Sequence, residues 1–321
     1  MKKVSIPNTD LMVSGICYGA AYCGFEDEEK YFGCLDFFVE KGGNFIDTAN
    51  VYGKWLAHKK NSNEMMLGKW MQNRKNRDKI VLASKAAHPD LSAMNIPRMS
   101  REEINSDLEE SLSALQTDCL DIFWLHRDAE NIPVGEIMET LLEIRKSGKA
   151  RYFGCSNWKP QRIEQALAYA AKKGAKGFIA NQPQWSLAIP NKSDSGDKTM
   201  CRMDGEGILL HKRTGLAAIP YSSQAGGYFS KYDTGAISEN LLARYKNDEN
   251  MRVYKNMKKL SEKTGYSCTQ ISLAYLMSHG FVAIPIIGSK NPEQIGDSVS
   301  AADIRLGGDE MELLIGDLEL F

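Results

Sequence analysis

Residues 44–53 read N-F-I-D-T-A-N-V-Y-G: an apolar run that ends in a carboxylate, Asp47, followed five positions later by a phenol, Tyr52. A carboxylate at the end of a buried strand is costly unless a cation meets it. The run I-V-L-A-S-K offers one in Lys85, and D-I-F-W-L-H offers an imidazole in His126. Pairing Asp47 with Lys85 removes two unpaired charges from a low-dielectric place. A phenol titrates near ~10 in water, and an ammonium beside it favours the phenolate and lowers that value. Asp47 would keep the lysine charged and in place, so Tyr52 is expected to be an acid/base tuned toward the working pH. His126 can donate a hydrogen bond to a carbonyl oxygen and orient it. Tyrosine as acid, histidine as polariser and no metal-ligand cluster suit carbonyl reduction.

These residues need elements to hold them. Apolar runs at 15–20, 44–49, 80–86, 119–126, 152–157, 178–183, 215–222 and 282–288 are continuous rather than alternating, which suits strands buried on both faces of a parallel sheet. Amphipathic stretches at 28–40, 63–73, 100–115, 134–146, 160–172, 251–264, 267–278 and 292–301 predict helices between and after them. Ser100 opens S-R-E-E, a capping box; Asn291 precedes Pro292 as an N-cap before proline; Gly148 closes a helix. Strands alternating with helices predict an α/β fold, a (β/α)8 TIM barrel, as a single domain over 1–321. The opening K-V-S-I-P-N-T-D-L-M-V predicts a β-hairpin closing the barrel's bottom, and the polar segment 191–206 an irregular loop. In such a barrel the chemistry sits at the C-terminal strand ends, where Asp47, Lys85, His126, Ser156, Asn157, Gln182, Tyr221 and Gly288 fall.

Forty Lys and Arg against 41 Asp and Glu leave a net charge of -1, so nothing argues for nucleic acid or an anionic membrane. The start lacks the apolar run of a signal peptide, and no stretch is long enough to span a bilayer. Seven cysteines without a C-x-x-C pair disfavour a disulfide framework or zinc site and suit a cytoplasmic protein with reduced thiols. No pattern fixes an oligomeric state.

The chain resembles the aldo-keto reductases over essentially its whole length. F-I-D-T-A-x-x-Y-G, the strand lysine, the strand histidine and G-x-S-N-W occur in the family's order. The resemblance implies Asp47, Tyr52, Lys85 and His126 as a catalytic tetrad in which Tyr52 protonates the carbonyl oxygen as hydride arrives from a reduced nicotinamide. It implies Ser156, Asn157 and Gln182 on the nicotinamide carboxamide, with Tyr221 stacked on the ring. Ser222, Ser223, Gln224, Gly226 and Lys231 fall in the segment that crosses the pyrophosphate, with Ser223 and Gln224 in place of a common Pro-Leu pair. Gly288, Ser289, Lys290 and Gln294 fall where a 2'-phosphate is gripped, and Asp297 and Ser298 where Glu and Asn usually bind adenine. NADP(H) is implied in preference to NAD(H).

Taken singly, each of these residues fits an ordinary role as a structural ion pair, a cap or a solvated side chain; their joint occurrence in barrel order favours the functional one. Trp55, in the loop after Tyr52, is expected to cover a substrate pocket whose rim Tyr22, His88 and Trp158 share. Cys155 reads as a buried structural thiol, and His58, His211 and His279 as facing solvent or helix surfaces. The expected function is an NADPH-dependent carbonyl reductase or alcohol dehydrogenase acting on a small molecule. The loop K-W-L-A-H-K-K-N-S-N is compatible with a sugar or keto-sugar and equally with an aryl aldehyde. The alternative is a nucleotide-binding redox sensor or accessory subunit with the same barrel and little turnover; the intact Asp-Tyr-Lys-His set favours the enzyme. A metal-dependent barrel hydrolase is disfavoured because the strand ends lack a His/Asp/Glu ligand cluster.

Overall fold

The apolar runs become strands in chain order in the computed structural model, which describes residues 1–21, 27–56, 62–191 and 197–316. A hairpin comes first, β1 (Lys3–Ser5) against β2 (Met12–Ser14), antiparallel with Val4 opposite Val13. Then β3 (Cys17–Gly19), β4 (Phe45–Asp47), β5 (Val81–Ala86), β6 (Leu120–Leu125), β7 (Ala150–Ser156), β8 (Phe178–Gln182), β9 (Ala217–Ala218) and β10 (Ile286–Ile287) form one sheet. Each strand from β3 to β8 pairs in parallel with the next, and β10 pairs back onto β3. The circle closes where Ala218 donates its N–H to Val282 and accepts from Ile284, both at 2.8 Å. This is the expected (β/α)8 barrel. β9 and β10 are shorter than the runs at 215–222 and 282–288, because Pro220 and Pro285 can accept but not donate in the ladder.

The helices are α1 (Glu28–Glu40), α2 (Ser62–Arg74), α3 (Arg101–Leu115), α4 (Val134–Lys146), α5 (Pro160–Lys172), α6 (Gly205–Thr214), α7 (Tyr228–Asp233), α8 (Glu239–Tyr245), α9 (Asp248–Thr264), α10 (Cys268–Leu276), α11 (Pro292–Ser300) and α12 (Gly308–Ile315). The Ser100 capping box and the Asn291 cap before Pro292 both form, and Gly148 takes φ +81 just past α4. α6 begins inside the expected loop 191–206, where the Asp204 side chain caps it by accepting from Gly207. α7, α8 and α12 are short and stand outside the predicted set. Gly68 lets α2 lie against the end of α3: a Cβ there would sit 2.6 Å from the Ala114 carbonyl oxygen.

Two-residue alternation sorts the strand side chains. Phe45, Val81, Ala83, Ile122 and Trp124 point into the barrel, whereas Ile46, Leu82, Phe123 and Leu125 face the helices. The hairpin's Ile6, Leu11 and Val13 join the inner cluster and plug the end where the strands begin. Its tip is tied down by Asp10, which accepts from Arg151 at 2.8 Å and from the Tyr152 hydroxyl at 2.9 Å. The opposite end of the barrel is left for polar residues.

Candidate active site

The inward alternation that buries Phe45 and Ala83 carries Asp47 and Lys85 to the C-terminal mouth, since β4 and β5 pair with Asp47 opposite Ala83. Lys85 donates all three of its protons: to Asp47 Oδ2, to the Thr48 carbonyl at 2.7 Å and to the Tyr52 hydroxyl at 3.3 Å. Gln182 Nε2 donates to the other Asp47 oxygen at 3.1 Å. Tyr52 reaches the lysine through a turn in which its N–H bonds the Ala49 carbonyl at 3.0 Å. The His126 ring meets the phenol nearly edge-on, with centroids 5.8 Å apart. Asp47, Lys85 and His126 are buried.

Burial raises the Asp47 carboxyl, and Lys85 opposes that. Burial also works against the Lys85 ammonium, but Asp47 and Tyr52 outweigh it and hold the lysine above its ordinary value. The pair is therefore ionic. Tyr52 departs from the sequence expectation. Burial lifts its pKa above 10, and Lys85 only offsets part of that rise. The phenol is accordingly protonated across the neutral range, a donor rather than a half-ionised acid/base. His126 lies well below its ordinary value, through burial first and then Arg127, His88 and Lys85. His88 falls to about 4, mostly by burial. Both imidazoles are neutral near pH 7.

The residues expected around a nicotinamide cluster at the same mouth. Asn157, at the end of β7, adopts φ +62. Its oxygen accepts from the Tyr221 hydroxyl at 2.7 Å and from Cys201 N–H at 3.0 Å, while its amide donates to the His126 carbonyl at 3.1 Å and to Ser156 Oγ at 3.0 Å. Ser156 in turn donates to the Gln182 carbonyl at 2.8 Å. The Asn157 amide is thus fully engaged inside the protein, and a ligand carboxamide would have to replace one of these bonds.

After β9 the chain is strongly left-handed, with φ of +53 at Ser222, +50 at Ala225, +68 at Gly226 and +82 at Gly227. Successive N–H groups in such a stretch form a concavity suited to anions. Ser223 donates to the Ile286 carbonyl at 2.5 Å and Gln224 to Ser298 at 3.1 Å, fastening this segment to β10 and α11. Lys231 folds back onto the Gly226 carbonyl at 2.8 Å. A Cβ at Gly288 would meet nothing within 4 Å, whereas Ser289 after it is buried, with its Oγ donating to the Gln294 carbonyl at 3.3 Å. Gln294 accepts from the Lys290 N–H at 3.0 Å, and Asn291 caps α11. A left-handed run joined to a capped helix start, with a lysine between, fits a phosphate-bearing dinucleotide. Asp297, expected beside adenine, accepts from Ser267 Oγ at 2.8 Å and so engages the start of α10.

Around the reacting end, Trp55 is 46% exposed and lies edge-on to Tyr52 at 6.2 Å. His88 stands 4.8 Å from His126, with its Nδ1 on the Pro89 carbonyl at 2.8 Å. Trp158 corrects the sequence reading. It is buried in the outer core, edge-on to Phe178 at 5.2 Å, with its indole N–H on the Arg127 carbonyl at 3.0 Å. The left-handed Asn157 turns the chain back toward the helices there, away from the mouth. Tyr22 and His58 lie outside the described residues.

Sequence reasoning passed over Arg127. It is buried beside the site, donating to Thr199 at 2.8 Å, to Asp197 at 3.2 Å and to the His126 carbonyl at 2.9 Å. Its charge acts on Tyr52, His88, His126 and Tyr221. Only its position directly after His126 could have pointed to it. Among the described residues no group of His, Cys, Asp and Glu is arranged to hold a metal ion, and no helix is long and apolar enough to cross a membrane.

The sequence model of the aldo/keto reductase family matches residues 15–315. Norsolorinic acid reductase B of Dothistroma septosporum is 28% identical, over 95% of this chain and 78% of that protein. An aryl-alcohol dehydrogenase [NADP(+)] of Phanerodontia chrysosporium is 29% identical, over 96% of this chain and 83% of its own length. The uncharacterized oxidoreductase YrpG of Bacillus subtilis is 27% identical, over 98% and 95%.

Proposed function

This chain belongs to the aldo/keto reductase family and is an NAD(P)-dependent oxidoreductase, and from that premise we propose that it reduces a small aldehyde or ketone with NADPH, or oxidises the matching alcohol. The observation that carries the proposal is one ammonium, Lys85, bonded at once to Asp47 and to the Tyr52 hydroxyl beside a neutral His126. The nicotinamide, when bound, supplies the hydride for the carbonyl carbon. Tyr52 gives its proton to the carbonyl oxygen, and Lys85, kept charged by Asp47, stabilises the phenolate that remains until solvent reprotonates it. His126, being neutral, offers an N–H that holds the oxygen in line without competing for the proton.

For the cofactor, Lys290 beside the capped start of α11 supports a 2'-phosphate and hence NADPH. The name of the Phanerodontia relative, which includes NADP(+), points the same way. For the substrate, the exposed Trp55 beside Tyr52 supports an aryl aldehyde or aromatic ketone over a sugar, as do the names of the aryl-alcohol dehydrogenase and norsolorinic acid reductase relatives. The test is NADPH consumption by purified protein with parallel panels of aryl aldehydes and aldoses, followed by the same panels with Tyr52→Phe. Aryl aldehydes should be turned over, and the variant should lose at least ~100-fold in rate while still binding NADPH. NADPH binding with no turnover of either panel would instead favour a nucleotide-sensing role, and a variant within about tenfold of the parent would remove Tyr52 as the acid.

A further inference from the structure

Between α3 and the mouth of the barrel lies a polar cluster to which the proposed chemistry gives no part. Asp107 on α3 is buried. Its Oδ2 accepts the backbone N–H of Ala87 at 2.9 Å and one Arg98 N–H at 3.1 Å, and its Oδ1 accepts a second Arg98 N–H at 2.8 Å. Its carbonyl oxygen accepts from Asn50 Nδ2 at 3.3 Å, and Asn50 precedes Tyr52 by two residues. One carboxylate therefore touches the loop that follows Lys85, and its own backbone touches the loop that carries Tyr52.

Ala87 is where this matters. It adopts φ +62, a conformation that a residue with a Cβ takes reluctantly. Such backbone persists only where its surroundings enforce it. Lys85 lies two residues before it and His88 directly after, and His88 is the ring packed 4.8 Å from His126. The His88 carbonyl is held by Arg98 at 3.3 Å, through the same guanidinium that Asp107 grips. We propose that Asp107 is a positioning residue: by accepting the Ala87 N–H it holds the turn after β5 in its left-handed form and so sets His88 against His126 at the mouth of the site.

The kinetic side of this inference rests on the proposed reductase activity; the geometric side does not. Glycine adopts positive φ without strain. If Asp107 acts through Ala87, glycine at position 87 should remove the need for it. Asp107→Ala should lower kcat/KM for an aldehyde about tenfold with NADPH affinity unchanged. The double variant Asp107→Ala, Ala87→Gly should recover to within about threefold of Ala87→Gly alone. Its melting temperature should still stay below that of Ala87→Gly alone, because the Asp107–Arg98 pair is missing. A merely structural ion pair would give the opposite pattern, with activity tracking the melting temperature. A single variant as active as the parent, or a double variant as slow as the single, overturns the proposal.

A second readout needs no turnover. The His88 ring resonance in the NMR spectrum, assigned by its loss in His88→Asn, should titrate near the low value of about 4 in the parent. In Asp107→Ala it should move toward 6.5, and in the double variant return. If the parent reduces no carbonyl, the reductase reading fails and this resonance alone decides the positioning role. Should Asp107→Ala not fold, Asp107→Ser takes its place, being polar yet too short to reach Ala87.

Discussion

Replacing Glu64 by Gln should stabilise this protein at alkaline pH and leave it nearly unchanged at acid pH. Glu64 lies on α2, fully buried behind β5, where the Ser84 hydroxyl bonds its Oε1. Ser84 faces outward because its neighbour Lys85 faces inward. Burial raises the Glu64 carboxyl from 4.5 to about 7, with Ser84 and Ser111 opposing. The folded state thus holds a proton that the unfolded chain has already released, so stability falls as pH rises through that interval and levels off above about 7. At about 1.4 kcal/mol per pKa unit, the full loss is about 3 kcal/mol. Glutamine has the shape of the protonated acid and never ionises. Urea unfolding, followed by tryptophan fluorescence at a series of pH values, should give matching curves for parent and Glu64→Gln near pH ~3.5, below the unfolded value, and a gap of about 3 kcal/mol near pH ~8. A variant less stable than the parent at the higher pH would refute the reasoning, because it would mean that the buried carboxylate is solvated or paired when charged.

Three further outcomes are expected. Lys85→Met leaves the buried Asp47 unpaired and should lower stability by about 3–5 kcal/mol as well as stop turnover; an unchanged melting temperature would contradict the burial of the pair. The reductive kcat/KM should be flat between pH 6.5 and 10.0, falling above it as Tyr52 ionises and below it as His126 gains a proton; a break inside the interval would count against the assignment of the group on that side. Lys290→Ala should shrink the preference for NADPH over NADH about tenfold in fluorescence titrations at one salt concentration, and an equal ratio in parent and variant would show that Lys290 does not meet the 2'-phosphate.

Much of the architecture was legible from residue order. Strands buried on both faces are apolar throughout, and the caps at Ser100 and Asn291 act on their own next turn, so both signals are local. Asp47, Lys85 and His126 were likewise readable, because a charged or polar side chain closing an apolar run is costly to bury unless a partner or a task holds it there. What depended on the tertiary structure were quantities that sum over many distant neighbours. The Tyr52 phenol is pushed up rather than down, since the burial that several strands and loops impose outweighs one nearby ammonium. His211, read as facing solvent or a helix surface, is buried, with Nδ1 on the Leu216 carbonyl at 2.7 Å and its ring stacked on Phe281 at 5.0 Å. Trp158 went into the core because one left-handed residue, Asn157, reversed the chain before it. Asp107, Arg98 and Ala87 carry no motif at all. Their meeting depends on α3 packing against the end of β5, a contact between elements that the order of residues along the chain does not display.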